Sequence, residues 1–250
     1  MFGFLFYFYP KPFMMKKFNP ILICLLLSLF MATSCIESIT GNGPVISDER
    51  TPGKFTSLAL NLGAEVRIVK ANENSVMVTA QQNLTDRIIT RVDGNTLVIT
   101  SKGNLISNHP IKIEVRMPEF ENFEINGSGE IEFDDTVTGD YIDFSVTGSG
   151  SVNARLDVRK VTTVVTGSGT VRFSGQADDL KGEVLGSGVI DASSLIAENG
   201  QFKLSGSGEV RTQVTGRLNA SVTGSGILYY TGNPELQKSV TGSGKVIPIR

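Results

Sequence analysis

The chain has 250 residues with 27 Gly, no Trp, 8% aromatic and 19% charged residues, a composition that fits short strands and tight turns better than a helical core. Its formal net charge is -2, and since residues 1–34 contain three lysines and no acid, the remainder carries 20 basic and 25 acidic side chains. This balance argues against a basic, nucleic-acid-binding face, and the single histidine, His109, narrows the catalytic options.

The N-terminus has the pattern of a secretory signal. Two lysines precede an apolar run at 21–31, and small residues follow at 32–34. A helix that spans a bilayer needs about 20 apolar residues, so this shorter run predicts a signal peptide over residues 1–35 instead. The aromatic leader before Met14 is not part of the pattern, and translation is expected to start at Met14 or Met15.

The end of this segment resembles a bacterial lipobox, in which the chain is cleaved before a cysteine that becomes acylated. Thr33 and Ser34 fit that pattern, whereas Ala32 stands where leucine is preferred. We expect lipidation at Cys35, which makes the membrane a partner through a lipid anchor; the alternative is an ordinary signal peptide with an incidental cysteine. Removal of Cys24 with the signal leaves Cys35 as the one cysteine of the mature chain, so no intramolecular disulfide is expected.

Residues 36–50 are predicted to form a flexible tether, and residues 51–250 a single β domain. Its opening, residues 51–125, is non-repetitive but rich in alternating apolar positions. Asp93-Gly94 between two such runs predicts a hairpin. The predicted strands are 54–60, 65–71, 75–80, 87–92, 96–101 and 111–116.

An internal repeat organises residues 126–250. The tripeptide Gly-Ser-Gly occurs seven times, with successive copies about 18–21 residues apart. Apolar residues alternate with period two on both sides of each tripeptide, which predicts strands with one buried face, and the unbroken parity places both glycines on that face. The repeat glycines are Gly127, Gly129, Gly148, Gly150, Gly167, Gly169, Gly186, Gly188, Gly206, Gly208, Gly224, Gly226, Gly242 and Gly244.

Two architectures are compatible with this parity. In a β-solenoid each repeat forms one coil, equivalent positions stack at about 4.8 Å, and the glycines mark a bend whose interior is too narrow for a side chain. In an antiparallel meander each tripeptide is instead a three-residue hairpin loop. Identity of all seven copies favours the solenoid, because hairpin tips usually vary among Asn, Asp and Gly.

These features resemble the family described as putative auto-transporter adhesin, head GIN domain, found in Bacteroidota-type envelope lipoproteins. The resemblance covers roughly residues 50–245, and the recurring Thr-Gly-Ser-Gly is its most specific mark. It implies an all-β, right-handed parallel β-helix or β-solenoid fold with about 18–21 residues per coil, and an adhesion or envelope role without catalytic residues. The segments that carry the resemblance are 55–58, 66–70, 76–79, 97–100, 113–118 and 125–129.

Catalytic and metal-binding chemistry finds little support in the sequence. A strand, not a helix N-terminus, follows each Gly-Ser-Gly, so phosphate binding is not expected. The doublets Asp134-Asp135 and Asp178-Asp179 are expected in irregular corners, and adjacent strand residues point to opposite faces, so neither doublet is a convergent acid/base pair. Calcium binding at such a corner stays open. His109, before a proline, is expected in a turn.

We therefore expect a non-catalytic protein of the cell envelope, anchored to the outer membrane, without cofactor or metal, that displays a repetitive β surface. Its partners would be the membrane and a glycan or an envelope protein, and not nucleic acid. One alternative is a β-helix that binds or degrades polysaccharide, with Tyr141, Tyr229 and Tyr230 as candidates for sugar stacking. Another is a periplasmic sensor or accessory factor.

Overall fold

The structure is a computed structural model that describes residues 37–249, which form nineteen strands and one short helix. The predicted signal peptide and Cys35 lie outside these residues. No helix of the described part is long and apolar enough to cross a membrane. The elements are β1 (Ser38–Thr40), β2 (Val45–Arg50), β3 (Ser57–Leu60), β4 (Glu65–Lys70), β5 (Ser75–Gln81), α1 (Gln82–Thr85), β6 (Ile88–Asp93), β7 (Thr96–Ser101), β8 (Asn104–Ile106), β9 (Lys112–Met117), β10 (Asn122–Gly127), β11 (Glu130–Phe133), β12 (Val137–Gly148), β13 (Ser151–Gly167), β14 (Thr170–Gly186), β15 (Val189–Gly206), β16 (Glu209–Gly224), β17 (Ile227–Thr231), β18 (Glu235–Gly242) and β19 (Lys245–Pro248).

The repeat half is a parallel β-solenoid. Strands β10 to β19 pair in parallel with the strand one repeat later, and the first glycines of all seven tripeptides, from Gly127 to Gly242, lie in one continuous register. Each repeat is therefore one coil, as predicted. The antiparallel hairpin alternative is wrong, because the chain on either side of a tripeptide pairs with neighbouring coils and not with itself.

Each coil has two segments that flank its tripeptide. We call the six residues that end at the first glycine the leading segment, for example Asn122–Gly127, and the residues that follow the second glycine the trailing segment, for example Glu130–Phe133. Alternate residues of both point inward. Their apolar side chains fill the interior, with Phe144 between Phe123 and Phe173 at centroid distances of 6.0 and 4.9 Å.

The non-repetitive opening belongs to the same solenoid, but its coils are not in chain order. Strands β3 and β4 pair in parallel with β10 and β11 on one side and with β7 and β9 on the other. The coil formed by β7 and β9 is thus outermost, although it follows β3 and β4 in sequence. Strands β5 and β6 pair antiparallel with β9 and β7, and the hairpin predicted at Asp93-Gly94 joins β6 to β7, with Gly94 at φ +62°.

Part of the segment predicted as a flexible tether is folded. Strand β2 pairs antiparallel with β5, and β1 pairs in parallel with β8. The side chain of Arg50 fixes the end of β2, since its guanidinium donates to Ile88 O at 2.7 Å and to Thr85 O at 2.9 Å. The alternation of apolar and polar residues did not predict these strands. Strand β2 is an exposed edge, so its sequence shows no buried face. The short helix α1 was also not predicted; it buries Leu84.

Candidate functional site

The second glycine of each tripeptide lies on the inner wall, as predicted. Gly169 is typical: a Cβ atom built on it would lie 2.5 Å from Val146 Cγ1 and 2.8 Å from Gly150 O, both on the preceding coil. Real Cβ atoms do not come that close to other heavy atoms. The second glycine is therefore required by close packing between coils, where the valine of one coil occupies the space that a side chain of the next would need.

The first glycine does not lie on the inner wall, and the prediction that both glycines do is wrong in this respect. Gly167 is partly exposed and has φ +109°, and all seven first glycines have φ between +108° and +132°. This backbone conformation is one that L side chains rarely adopt. The chain bends at the first glycine. The alternation of inward and outward residues is therefore the same before and after the bend, although the first glycine itself does not point inward. A Cβ atom on Gly167 would also lie 2.7 Å from Gly148 O.

The serines between the glycines form an outward column, which we call the serine corner. All seven are exposed, and Ser225 Oγ lies 3.0 Å from Ser243 Oγ. The backbone amides of the corner are already used between coils: Ser168 N donates to Gly148 O at 2.9 Å, and the same bond recurs along most of the column. Those amides cannot cradle a phosphate, which supports the structural interpretation of the tripeptide. The serines are Ser128, Ser149, Ser168, Ser187, Ser207, Ser225 and Ser243.

A groove of about 360 Å³ lies on the outer face of the leading segments. We call it the Asp143 groove. Asp143 is half-buried; its Oδ2 accepts a hydrogen bond from the Tyr141 hydroxyl, and its Oδ1 is buried without a hydrogen-bond partner. Burial raises the pKa of Asp143, an effect that the Thr162 hydroxyl and the charges of Lys160 and Lys181 partly offset. Polar side chains of the groove are Thr96, Asn122, Glu124, Asp143, Ser145 and Thr162.

Sequence reasoning did not single out Asp143. It stands at an outward position that Asn122 and Thr162 fill on the adjacent coils, so nothing in the repeat marks it as special. The one available signal was Tyr141 two residues earlier, because residues two apart on a strand share a face. Tyr141 itself is 45% exposed.

In each aspartate doublet the two carboxylates make different contacts or line different grooves. Asp134 pairs with Arg67, whose Nε donates at 2.6 Å, and Asp135 accepts from Lys70 N at 3.0 Å, so both are engaged in structural contacts with β4. Asp178 and Asp179 lie within β14, where both are exposed between the buried Ala177 and Leu180, so the alternation of the strand is broken there. The two aspartates line different grooves, of about 620 and 400 Å³.

The remaining candidates occupy ordinary positions. His109 is exposed in the bend before β9, as predicted. Tyr229 points outward with Arg211 5.8 Å from its ring centroid, whereas Tyr230 packs partly against the core. Among residues 37–249 no three His, Cys, Asp or Glu side chains are grouped so that they could hold a metal ion.

Comparison with known families fits this architecture. The family model described as "Putative auto-transporter adhesin, head GIN domain" matches residues 54–234. The chain belongs to this family. Membership in the head GIN family indicates a protein of the envelope or cell surface with a non-catalytic, adhesin-like role. Among curated proteins no relative matches the chain.

Solved structures share the fold along most of the chain. A putative adhesin from Bacteroides fragilis NCTC 9343 has 22% identity and a TM-score of 0.80, and the match covers 84% of this chain and 100% of the other. A protein from Parabacteroides distasonis ATCC 8503, described as a putative lipid binding protein, has 26% identity and a TM-score of 0.75 over 86% of this chain and 100% of the other. A putative adhesin from Parabacteroides merdae ATCC 43184 has 17% identity and a TM-score of 0.71 over 86% and 100%.

Proposed function

We propose that the protein is a non-catalytic adhesin-like lipoprotein, attached to the outer membrane through acylated Cys35, which presents the outer face of its solenoid to a partner. The observation that carries this proposal is the register of the coils. Each outward position of the leading and trailing segments recurs on the next coil, so outward side chains form long columns on a rigid sheet. A rigid, repeated surface suits recognition of an extended partner by many weak contacts.

The positions of the two aspartate doublets agree with a binding role. Of the described carboxylates that the sequence singled out, Asp134 and Asp135 are held by β4, and Asp178 and Asp179 face different grooves. A glycosidase instead needs two carboxyl groups about 5–9 Å apart around one bond. The family and the related folds favour the same non-enzymatic interpretation.

The anchor is tested by metabolic labelling with a palmitate analogue in cells that express the full chain. We expect label on the wild type and on Cys24→Ser, and none on Cys35→Ser. Cys24 is a matched control because it is the only other cysteine of the chain. Equal labelling of Cys35→Ser, or an unlabelled wild type, would contradict the anchor while leaving the fold and the surface untouched.

Which side of the outer membrane the protein faces decides whether it can act as an adhesin at all. Intact cells are treated with protease, and the solenoid is detected with an antibody against its repeat half. A surface adhesin is degraded in intact cells, whereas a periplasmic protein is degraded only after the outer membrane is permeabilised. Protection in intact cells would replace adhesion with the periplasmic accessory role.

A second candidate function is binding of a glycan at the Asp143 groove. Carboxylate, amide and hydroxyl groups there could accept and donate hydrogen bonds to sugar hydroxyls, and Tyr141 offers an exposed aromatic ring beside them. A glycan array with the purified protein tests this idea. We expect Tyr141→Ala and Asp143→Asn to lose binding and Tyr229→Ala, the other outward tyrosine, to keep it; no bound glycan with the wild type would reject this candidate.

A further inference from the structure

A second groove on the outer face of the solenoid lies where the leading segments begin, and it is lined mainly by cationic and amide side chains. It has a volume of about 400 Å³, and we call it the basic groove. Among its described lining residues there is one carboxylate, Asp179. The cations and amides of the groove are Lys160, Lys181, Arg217, Asn199, Gln201 and Asn219.

The basic groove exists because short side chains stand between long ones. Four successive coils contribute one column, formed in register by Lys160, Asp179, Asn199 and Arg217. The long lysine and arginine lie at the ends of this column, and the shorter aspartate and asparagine between them leave a depression. Coils lie about 4.8 Å apart, so the depression extends about 14 Å along the solenoid axis.

The positive charges of the groove are poorly neutralised. Lys160 stands opposite Asp179 in the parallel register, but Asp179 Oδ1 instead accepts a hydrogen bond from Asn199 Nδ2 at 3.2 Å. Within residues 37–249, neither Lys160 nor Lys181 has a carboxylate oxygen within 4.0 Å of its ammonium group. Arg217 Nε lies 4.0 Å from Glu235 Oε2. Three cations against one lining carboxylate give the groove a local charge of +2, in a chain whose formal net charge is -2.

This lining suits a ligand that carries both acid groups and hydroxyl groups. An ammonium or guanidinium group pairs with an anionic oxygen, and a side-chain amide both donates to and accepts from hydroxyl groups. A lipid surface suits it less well, because Leu180, the one large apolar residue among the described lining residues, is buried and has no side chain to insert between lipids. A sugar with a carboxylate or sulfate substituent has both kinds of group.

We propose that the basic groove binds an acidic sugar residue of an extended polysaccharide, whose carboxylate or sulfate group pairs with Lys160, Lys181 and Arg217. The amides of the groove bind the sugar hydroxyls, and the polysaccharide runs along the solenoid axis. This inference rests on the proposed role of the outer face as a binding surface, and it adds the class of ligand. It uses different residues from the Asp143 groove, so the two sites are tested separately.

The test is isothermal titration calorimetry with the full chain, in a Cys35→Ser background that removes the acylation site. The probes are oligogalacturonate and dextran sulfate, each compared with a neutral counterpart, the methyl ester of the same oligogalacturonate and plain dextran. We expect at least one acidic probe to bind at least about tenfold more tightly than its counterpart, and salt to weaken this binding by screening. The two acidic probes distinguish a carboxylate from a sulfate as the recognised group.

Variants assign the binding to the groove. An exposed ion pair changes an affinity by up to about fivefold, so Lys160→Gln/Lys181→Gln should bind the acidic probe about tenfold more weakly. Asp179→Asn should bind it more tightly, because the substitution removes the like charge from the groove. Arg155→Gln/Arg172→Gln is the matched control: it also removes two exposed cations from β13 and β14, but on the trailing segments, and should bind as the background chain does.

Three results would overturn the proposal. The first is a background chain that binds neither acidic probe. The second is an equal loss in the lysine variant and in its control, which would indicate attraction by overall charge alone. The third is tighter binding of poly-glutamate than of both acidic glycans, which would assign the groove to an acidic protein segment. Far-UV circular dichroism establishes that the variants are folded, and both lysines are exposed, so their replacement removes no packing. Labelling of Cys35 and protease access do not depend on this ligand, so a failure here leaves the adhesin-like role standing.

Discussion

Substitution of single repeat glycines by alanine separates the two reasons why glycine is needed at the corner. Gly127 and Gly167 are both first glycines with positive φ, of +132° and +109°. They differ in their surroundings: a Cβ atom on Gly167 would lie 2.7 Å from Gly148 O, whereas one on Gly127 would have no described heavy atom within 4 Å. Gly127→Ala thus introduces backbone strain alone, and Gly167→Ala introduces the same strain together with a clash against the preceding coil.

The expected magnitudes follow from these contacts. Forcing a non-glycine residue into such a backbone conformation costs about 1–3 kcal/mol. Inserting an atom into a closely packed position costs about a further 1–3 kcal/mol. We therefore expect Gly127→Ala to lower the free energy of unfolding by about 1–3 kcal/mol and Gly167→Ala by about 2–6 kcal/mol. For a domain of this size, each kcal/mol corresponds to a melting temperature about 2–4 °C lower.

Urea unfolding followed by circular dichroism measures the difference. Ser168→Ala is the control within the same tripeptide; its side chain is exposed, so its effect should stay within about 0.5 kcal/mol. Gly169→Ala completes the set, because it adds the clash with Val146 without a positive φ. Equal losses for Gly127→Ala and Gly167→Ala would refute the argument that contact between coils selects the glycines, and a large loss for Ser168→Ala would refute the assignment of the serine corner to the surface.

Three further outcomes are expected. Asp143→Asn should unfold at a higher urea concentration than the wild type at pH 7, because burial raises the pKa of this carboxyl and disfavours its charged form; the gain should vanish below about pH 4, where the unfolded chain is also protonated. Phe144→Ala should cost about 3–5 kcal/mol in the same assay, since the ring is buried between two others. Arg50→Ala should cost about 1–3 kcal/mol by leaving Thr85 O and Ile88 O without their donor, with faster hydrogen exchange confined to β2 and β6.

The repeat half was predictable because two independent signals agree there. Alternation defines the inward face, and the regular recurrence of Gly-Ser-Gly defines the length of a coil. The alternation nevertheless predicted a wrong position for the first glycines, which it placed on the inner wall. Val146, Gly150 and Val152 point inward as parity requires, but Gly148 between them does not, because the chain bends at its φ of +116°. Counting residues cannot distinguish a straight strand from one that turns a corner without changing phase.

The order of the N-terminal coils was beyond sequence reasoning for a different reason. The six predicted strands of the opening lie within a few residues of strands in the structure, whereas β8 was not predicted. Parallel pairing joins segments that are distant in the chain and leaves no local mark. The position of β3 and β4 between β10 and β11 on one side and β7 and β9 on the other depends on which edges remain unpaired after β5 and β6 have folded back. Only long-range contacts determine that choice. The Asp143 groove was missed likewise, since its residues come from five successive coils.

The stacking of the coils explains both why the tripeptide is constant and why the rest of each coil varies. The tripeptides are unevenly spaced along the chain, yet the register at the glycine corner is unbroken from Gly127 to Gly242. The extra residues of the longer coils are absorbed elsewhere: the pairing of β15 with β16 shifts between Ala192 and Ile196, far from the tripeptides. Because the register is unbroken at the corner and along the leading segments, outward residues can change from coil to coil without disturbing the stack. A partner-binding surface can therefore diversify on this fold at those positions, and the charged and aromatic residues that differ from coil to coil lie there.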